Sequence, residues 1–234
     1  WLCMQHEDRK RSMREGDGLK RLTITISREF GSGGRLIGEK LAKQLNFSFF
    51  DRSLLSMAAK ESGLAPFIFE GAEDEAANKL LFNLAIGGYV STGGFAQANI
   101  PLSDQVFLAQ SETILRLGKE GGCVLIGRCG NYALRKELNC LKVFIYAPLA
   151  ERVRHVAERE KMSLSEAEAL VGKMDKGRTN YYEHYTDWRW GDARSYDLAL
   201  DSFALGWDLS IKLIQTAAEA LAAKLSVLHQ RSPE

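Results

Sequence analysis

Cysteine, proline and histidine are scarce in this 234-residue chain, with four of each. Cys3, Cys123, Cys129 and Cys140 form no C-x-x-C pair, and none stands beside a histidine at zinc-ligand spacing. This argues against a disulfide framework or a structural zinc, and a reduced, cytoplasmic setting is expected. His6, His155, His184 and His229 are scattered, so no metal site is expected from them. An excess of one charge is also missing: 31 basic against 30 acidic residues leave a net charge of +1. Bulk electrostatic binding to nucleic acid or to an anionic membrane is therefore not expected. Nor is there a long unbroken apolar run. The stretch from Leu80 to Ser103 carries no charge, but it contains four glycines, a proline and several Asn, Gln, Ser and Thr residues. It reads as a glycine-rich loop or loose lobe rather than a helix in lipid. Ser27 lacks the elbow motif of a hydrolase nucleophile.

What remains is the composition of an ordinary α/β enzyme, 45% hydrophobic and 26% charged. Residues 1–20 are charged and carry the basic patch Arg9, Lys10, Arg11, and are expected to be a disordered leader. Leu22 to Ser27 reads LTITIS, a β-rich strand that runs into the turn FGSGG. Residues 34–45 place Ile37, Leu41 and Leu45 on one helical face, with Glu39, Lys40 and Lys43 outside. Strands follow at 47–50, 122–127, 141–147 and 196–202, and helices at 52–62, 106–117 and 149–160. Another helix opens at the capping box of Ser163 and Glu166, and the last is striped by Trp207, Ile211, Ile214, Ala218, Leu221 and Leu225. Alternating strands and helices predict a three-layer α/β/α fold around a five-stranded parallel sheet. Two excursions leave it, at 52–118 and 149–195, within one domain over 21–226, and residues 227–234 are expected to form a tail.

The turn between the first strand and the first helix carries the chemistry. Its residues are Phe30, Gly31, Ser32, Gly33, Gly34 and Arg35. Glycines let the backbone approach an anion closely, and the turn amides and the helix N-terminus point at the same place. A cation after the last glycine is where a P-loop carries its lysine. The strict pattern is broken at three positions: Glu29 replaces the first glycine, Arg35 the lysine, and Leu36 the hydroxyl residue that completes a magnesium shell. Arginine still neutralises phosphate, with a planar fork instead of a point charge. Arg128 follows a strand directly, where open α/β sheets place ligands.

The segment ITISREFGSGGRLIGEKLAKQLNFSFFD resembles the opening of the cytidylate kinase-like family. Further matches follow in order: AQSETILRLGKEGGC, VLIGRCGNYAL, KVFIYAPLAERVRHV, MDKGRTNYYEHYTDWRWGD and YDLALDS. The resemblance implies a P-loop kinase fold with an acceptor lobe over about 52–118 and a lid over about 149–195. It implies transfer of the γ-phosphoryl group of ATP, with Mg2+, to a nucleoside monophosphate, CMP or dCMP. It assigns Gly31, Ser32, Gly33, Gly34, Arg35 and Leu36 to the phosphate loop, Asp51, Arg52 and Arg128 to the acceptor, and Arg152 and Arg178 to the lid. Arg35, Arg128 and Arg178 are the expected catalytic cations, and Asp51 or Glu29 the carboxylates nearest a water-held magnesium. Cys129, Ile126 and Asn131 stand where the family carries aspartate. A nucleotide-binding regulator without turnover, or a kinase of another small acceptor, is the alternative.

Overall fold

The computed structural model describes residues 15–51, 53–62 and 101–231. The elements run α1 (Glu15–Lys20), β1 (Thr23–Arg28), α2 (Gly34–Leu45), β2 (Ser48–Phe50), α3 (Ser53–Ser62), α4 (Leu102–Glu120), β3 (Cys123–Ile126), α5 (Gly130–Ala133) and β4 (Cys140–Tyr146). They continue with α6 (Leu149–Glu160), α7 (Leu164–Tyr185), a 3-10 turn (Ala193–Ser195), β5 (Leu198–Asp201), α8 (Ser202–Leu205) and α9 (Trp207–Arg231). The five strands form one parallel sheet in the order β2-β3-β1-β4-β5, as the alternating pattern predicts.

The central strands are apolar on both faces, and period-two geometry sends alternate residues to opposite layers. Ile24, Ile26, Val124, Ile126, Val143 and Ile145 face one layer, packing with Ile37 and Leu41 of α2 and Ile211, Ile214 and Ala218 of α9. Cys123, Leu125 and Cys140 face the other, with Leu54 of α3, Ile114 and Leu117 of α4, and Leu134. Each fully buried Leu or Ile contributes about 1.5–3 kcal/mol relative to exposure. A third cluster joins Val153, Val156 and Ala157 of α6 to Ala167 and Val171 of α7, with Phe30 of the glycine turn packed against it.

Three differences from the sequence reading have local causes. The end of the expected leader is helical: α1 packs against α9, with Leu19 against the core. α9 runs to Arg231, into the expected tail. The last strand is shorter than YDLALDS: Asp197 spends its N–H on the Lys142 carbonyl and its carboxylate on the Lys142 N–H, ahead of Leu198. The capping box forms as expected, with the Ser163 hydroxyl accepting from the Glu166 amide. The uncharged stretch falls almost wholly outside the described residues, and so does Arg52. Among the described residues no helix is long and apolar enough to cross a membrane.

Candidate functional site

The site lies at the C-terminal edge of the sheet, where β1 and β3 both end in tight turns. After β1 the chain passes through Gly31 (φ +85°) and Gly33 (φ +78°), left-handed conformations that a side chain strains. Space forbids one as well. A Cβ on Gly31 would stand 2.8 Å from the Arg152 carbonyl oxygen, and one on Gly33 would stand 2.7 Å from the Trp207 indole. Ser32 is buried; its hydroxyl donates to the Glu29 carbonyl (2.9 Å), and its own carbonyl accepts from the Ser202 hydroxyl (2.6 Å). The first α2 bond runs from the Ile37 N–H to the Gly33 carbonyl (3.0 Å). No described backbone carbonyl accepts from the amides of Gly33, Gly34, Arg35 or Leu36, so the turn presents the donors of an anion site.

β3 ends in an elbow. Gly127, Arg128 and Cys129 are all left-handed, at φ +69°, +56° and +55°. Two non-glycine residues in that region store strain of about 1 kcal/mol or more each. The elbow leaves the Arg128 side chain half-buried at the strand end and sends Cys129 and Asn131 inward. Asn131 is fully buried and donates to the Tyr182 hydroxyl (2.9 Å) and the Ser195 carbonyl (3.4 Å). A carboxylate there would be a charge without solvent, so an amide in place of aspartate suits this packing. Burial pushes the Cys129 thiol up to about 12 and raises the Tyr182 phenol.

The predicted residues fall into two groups around the turn. On the β2 side, the Arg35 guanidinium is half-exposed and pairs with Asp51 at the end of β2 (2.8 Å) and with Glu39 (3.4 Å). Its Cζ lies 5.8 Å from the Phe49 ring centroid. Asp51 also faces Arg28 at 4.0 Å. On the other side, Arg152 is buried, 8% exposed, and its guanidinium is engaged by protein groups. It bonds the Ala147 carbonyl (2.9 Å) and the Phe30 carbonyl (3.2 Å), and pairs with Glu29 (3.1 Å) and Asp175. Arg178 donates to the Arg28 carbonyl (3.0 Å), the residue that ends β1. Arg152 and Arg178 both lie beside the turn, and Arg152 is occupied bracing it.

Three further charged residues, absent from the sequence-predicted set, stand at the turn: Arg28, Arg159 and Asp175. Arg28 lies against Gly127 and Gly34, between the two turns. Arg159 lies 5.3 Å from the Phe30 ring centroid, and Arg178 5.4 Å from the same ring. Asp175 accepts from the Phe30 N–H at 2.7 Å. Arg28 was legible as the residue just before the turn. Arg159 and Asp175 sit in charge-rich helices, where nothing in the sequence separates a site residue from a solvated face.

Burial pushes the Glu29 carboxyl above its ordinary value, opposed by the Ala147 N–H and by Arg152. Glu29 therefore spans β1 and β4 as a half-buried acceptor where a P-loop has glycine. Beside the turn opens a cleft of about 370 Å³, lined by Gly31, Ser32, Glu151, His155, Phe203 and Trp207. His155 and Trp207 meet face to tilted face at 5.5 Å. Burial and the neighbouring Arg159 charge lower the His155 pKa, favouring a neutral ring. The aromatic residues of the 181–190 segment pack inward instead of lining the cleft. Tyr185 stacks on Phe107 (4.2 Å, 8°), Trp188 meets Tyr132 edge-on, and Trp190 meets Phe144 edge-on.

Chemically, the arrangement offers unbonded amides, several guanidiniums and a flanking cleft, a set suited to a polyphosphate with a stacked base. Comparison with known proteins agrees with that chemistry. The model of the cytidylate kinase-like family matches residues 23–203. A cytidylate kinase of Thermococcus kodakarensis is 23% identical over 202 residues, covering 86% of this chain and 90% of that protein. A cytidylate kinase of Halobacterium salinarum is 29% identical over 84 residues, 36% of this chain and 44% of that protein. A crystal structure of an uncharacterized protein from Eubacterium ventriosum superposes with a TM-score of 0.64 at 28% identity, over 86% of this chain and 99% of that one. The match spans both turns and all five strands, and the chain belongs to the cytidylate kinase-like family as a kinase-like phosphotransferase.

Proposed function

We propose that this protein transfers the γ-phosphoryl group of ATP to a nucleoside monophosphate, CMP or dCMP. The observation that carries the reading is the pairing of two turns at adjacent strand ends. The glycine turn with its unbonded amides follows β1, and the elbow bearing Arg128 follows β3, its direct neighbour in the sheet. A donor polyphosphate on the first turn and an acceptor phosphate at the second would meet across the β1–β3 boundary. In-line transfer needs that juxtaposition and charge neutralisation more than covalent help.

In this reading the amides of Gly33 to Leu36 hold the donor phosphates, and the base lies in the cleft against His155 and Trp207. Arg35 exchanges Asp51 for phosphate, a partner change that its exposure permits. Arg128 and Arg28 face the acceptor phosphate. Arg159 and Arg178, flanking Phe30, stabilise charge on the transferring group. The segment 149–195 acts as a lid and 52–118 as the acceptor lobe, with Arg52 and Asp51 on its threshold. Mg2+ would arrive with ATP and screen its phosphate charge. Asp51 and Glu29 are each paired with arginine and Leu36 has no hydroxyl, so the ion would be held by phosphate oxygens and water. The protein is expected to act in the cytoplasm on nucleotide substrates, without nucleic acid or membrane.

The test is ADP release from Mg-ATP in a coupled assay with CMP, dCMP, UMP, AMP and GMP. Acceptor-dependent release, abolished in Arg35→Ala, supports the reading and names the acceptor. Near-normal turnover by Arg35→Ala would sink the assignment of that residue. The second reading, a nucleotide-binding regulator, is favoured by Ile126, Cys129 and Leu36 at positions of expected polar groups. It predicts ATP binding with silence toward every acceptor.

A further inference from the structure

Phe30 is the first residue of the glycine turn proper, and side chains from α6 and α7 hold both of its backbone polar groups. Its N–H donates to Asp175 (2.7 Å), and its carbonyl accepts from Arg152 (3.2 Å). The second oxygen of Asp175 takes the Arg152 guanidinium, which also pairs with Glu29 at the root of the turn (3.1 Å). Arg178, one helical turn beyond Asp175, stands 3.9 Å from the Asp175 carboxylate and donates to the Arg28 carbonyl. One carboxylate on α7 thus ties a turn amide to a buried arginine and lies beside a second.

The network is nearly dry. The side chains of Arg152, Asp175 and Glu29 are 9%, 18% and 24% exposed, so solvent screens it little. It is also built around the departure from the P-loop pattern. A glycine in place of Glu29 could neither accept the Ala147 N–H nor pair with Arg152. Bracing of the turn is here supplied in part from α6 and α7.

We propose that Asp175 is a positioning residue for phosphoryl transfer, an assignment that rests on the kinase reading above. It acts through its neighbours. By fixing the Phe30 N–H it holds the leading edge of the turn, and by fixing Arg152 it holds α6 in register with α7. Arg159 of α6 and Arg178 of α7 then flank Phe30 together. Loss of that tie lets α7 shift and carries Arg178 away from the transferring group, while the Gly33–Leu36 amides and the α6 face of the base cleft stay on their own elements. The chemical step suffers and donor binding does not.

The experiment is steady-state kinetics with the acceptor that wild type uses, on Asp175→Ala and Asp175→Asn, with thermal unfolding and ATP-induced stabilisation measured on each. A misplacement of about 1 Å costs on the order of 100-fold in rate, so Asp175→Ala should lose about 100-fold in kcat, with KM for ATP within about threefold of wild type. Asp175→Asn keeps an acceptor for the Phe30 N–H and should recover about tenfold of that loss, the worth of one hydrogen bond. A merely structural role would lower the melting temperature and active fraction without this division between kcat and KM. Wild-type kcat in Asp175→Ala, or a loss lying wholly in KM, overturns the assignment. So does Asp175→Asn no faster than Asp175→Ala. A wild-type chain that binds ATP but is silent with every acceptor fails the kinase reading and takes this assignment with it, and wild type alone reveals that failure.

Discussion

Substitution Gly33→Ala tests whether the turn is shaped by its own glycines or only decorated by them. Gly33 sits at φ +78°, a conformation that costs a residue with a Cβ about 1–2 kcal/mol. The added carbon would stand 2.7 Å from the Trp207 indole, with three ring atoms at 2.7–2.8 Å. An indole is no flexible chain end, so the contact is relieved only by moving α9 or the turn, at a cost of about 1–3 kcal/mol. A middle value for the sum is about 3 kcal/mol, which for a chain of this length is about 6–12 °C in melting temperature. Gly172→Ala is the matched control. It lies on the exposed face of α7 with nothing within 4 Å of a new Cβ, and should stabilise by about 0.5–1 kcal/mol. Urea unfolding of both variants measures the two numbers. A double-mutant cycle with Trp207→Leu separates them further, because the packing part of the Gly33 cost should vanish in that background and the conformational part should remain. If Gly33→Ala costs under about 0.5 kcal/mol, or if its cost is the same with and without Trp207, this reasoning is wrong.

Arg152→Met should destabilise by about 3 kcal/mol, because it leaves Glu29 and Asp175 with no cation between them. The double variant with Glu29→Gln should recover part of that in equilibrium unfolding. His155 supplies a pH test. Its folded pKa lies below the ordinary 6.5, so the unfolded chain binds the proton more readily, and stability is lost as pH falls through 6.5. Melting temperatures at pH 7.5 and 5.5 should therefore fall less for His155→Gln than for wild type, and equal falls would refute the shift. Cys129 and Cys140, their thiols pushed up to about 12 by burial, should resist iodoacetamide in the native chain at pH 8 and react once it is unfolded. Peptide mass spectrometry reads this directly, and native labelling of either residue would contradict it.

The sheet was legible because its strands are buried on both faces and so write continuous apolar runs. Ile24, Ile26, Val124, Ile126, Val143 and Ile145 need no context to be recognised as core. The turn was legible for a related reason. Left-handed backbone at Gly31 and Gly33 demands glycine, and glycine between a strand and a helix announces itself. The capping box of Ser163 and Glu166 is local chemistry, complete within four residues. In each of these the determining interaction is either short in sequence or a simple property of the residue type.

The partners of the arginines were not legible, and the physical reason is distance along the chain. Arg35 stands after the last glycine of the turn, but nothing near it in sequence announces its partner Asp51, brought to it by the parallel placement of β2 beside β3. The partners of Arg152 are just as remote, since 23 residues separate it from Asp175 and 122 from Phe30. The double left-handed step at Arg128 and Cys129 has no sequence signal, because neither residue prefers that conformation and packing alone enforces it. The sequence by itself therefore determined the strands, the glycine turn and the family, all of which rest on short-range pattern. Only the tertiary structure decided which charges meet, because ion pairs across a sheet edge depend on strand order and helix docking, and these bring together residues that no local preference connects.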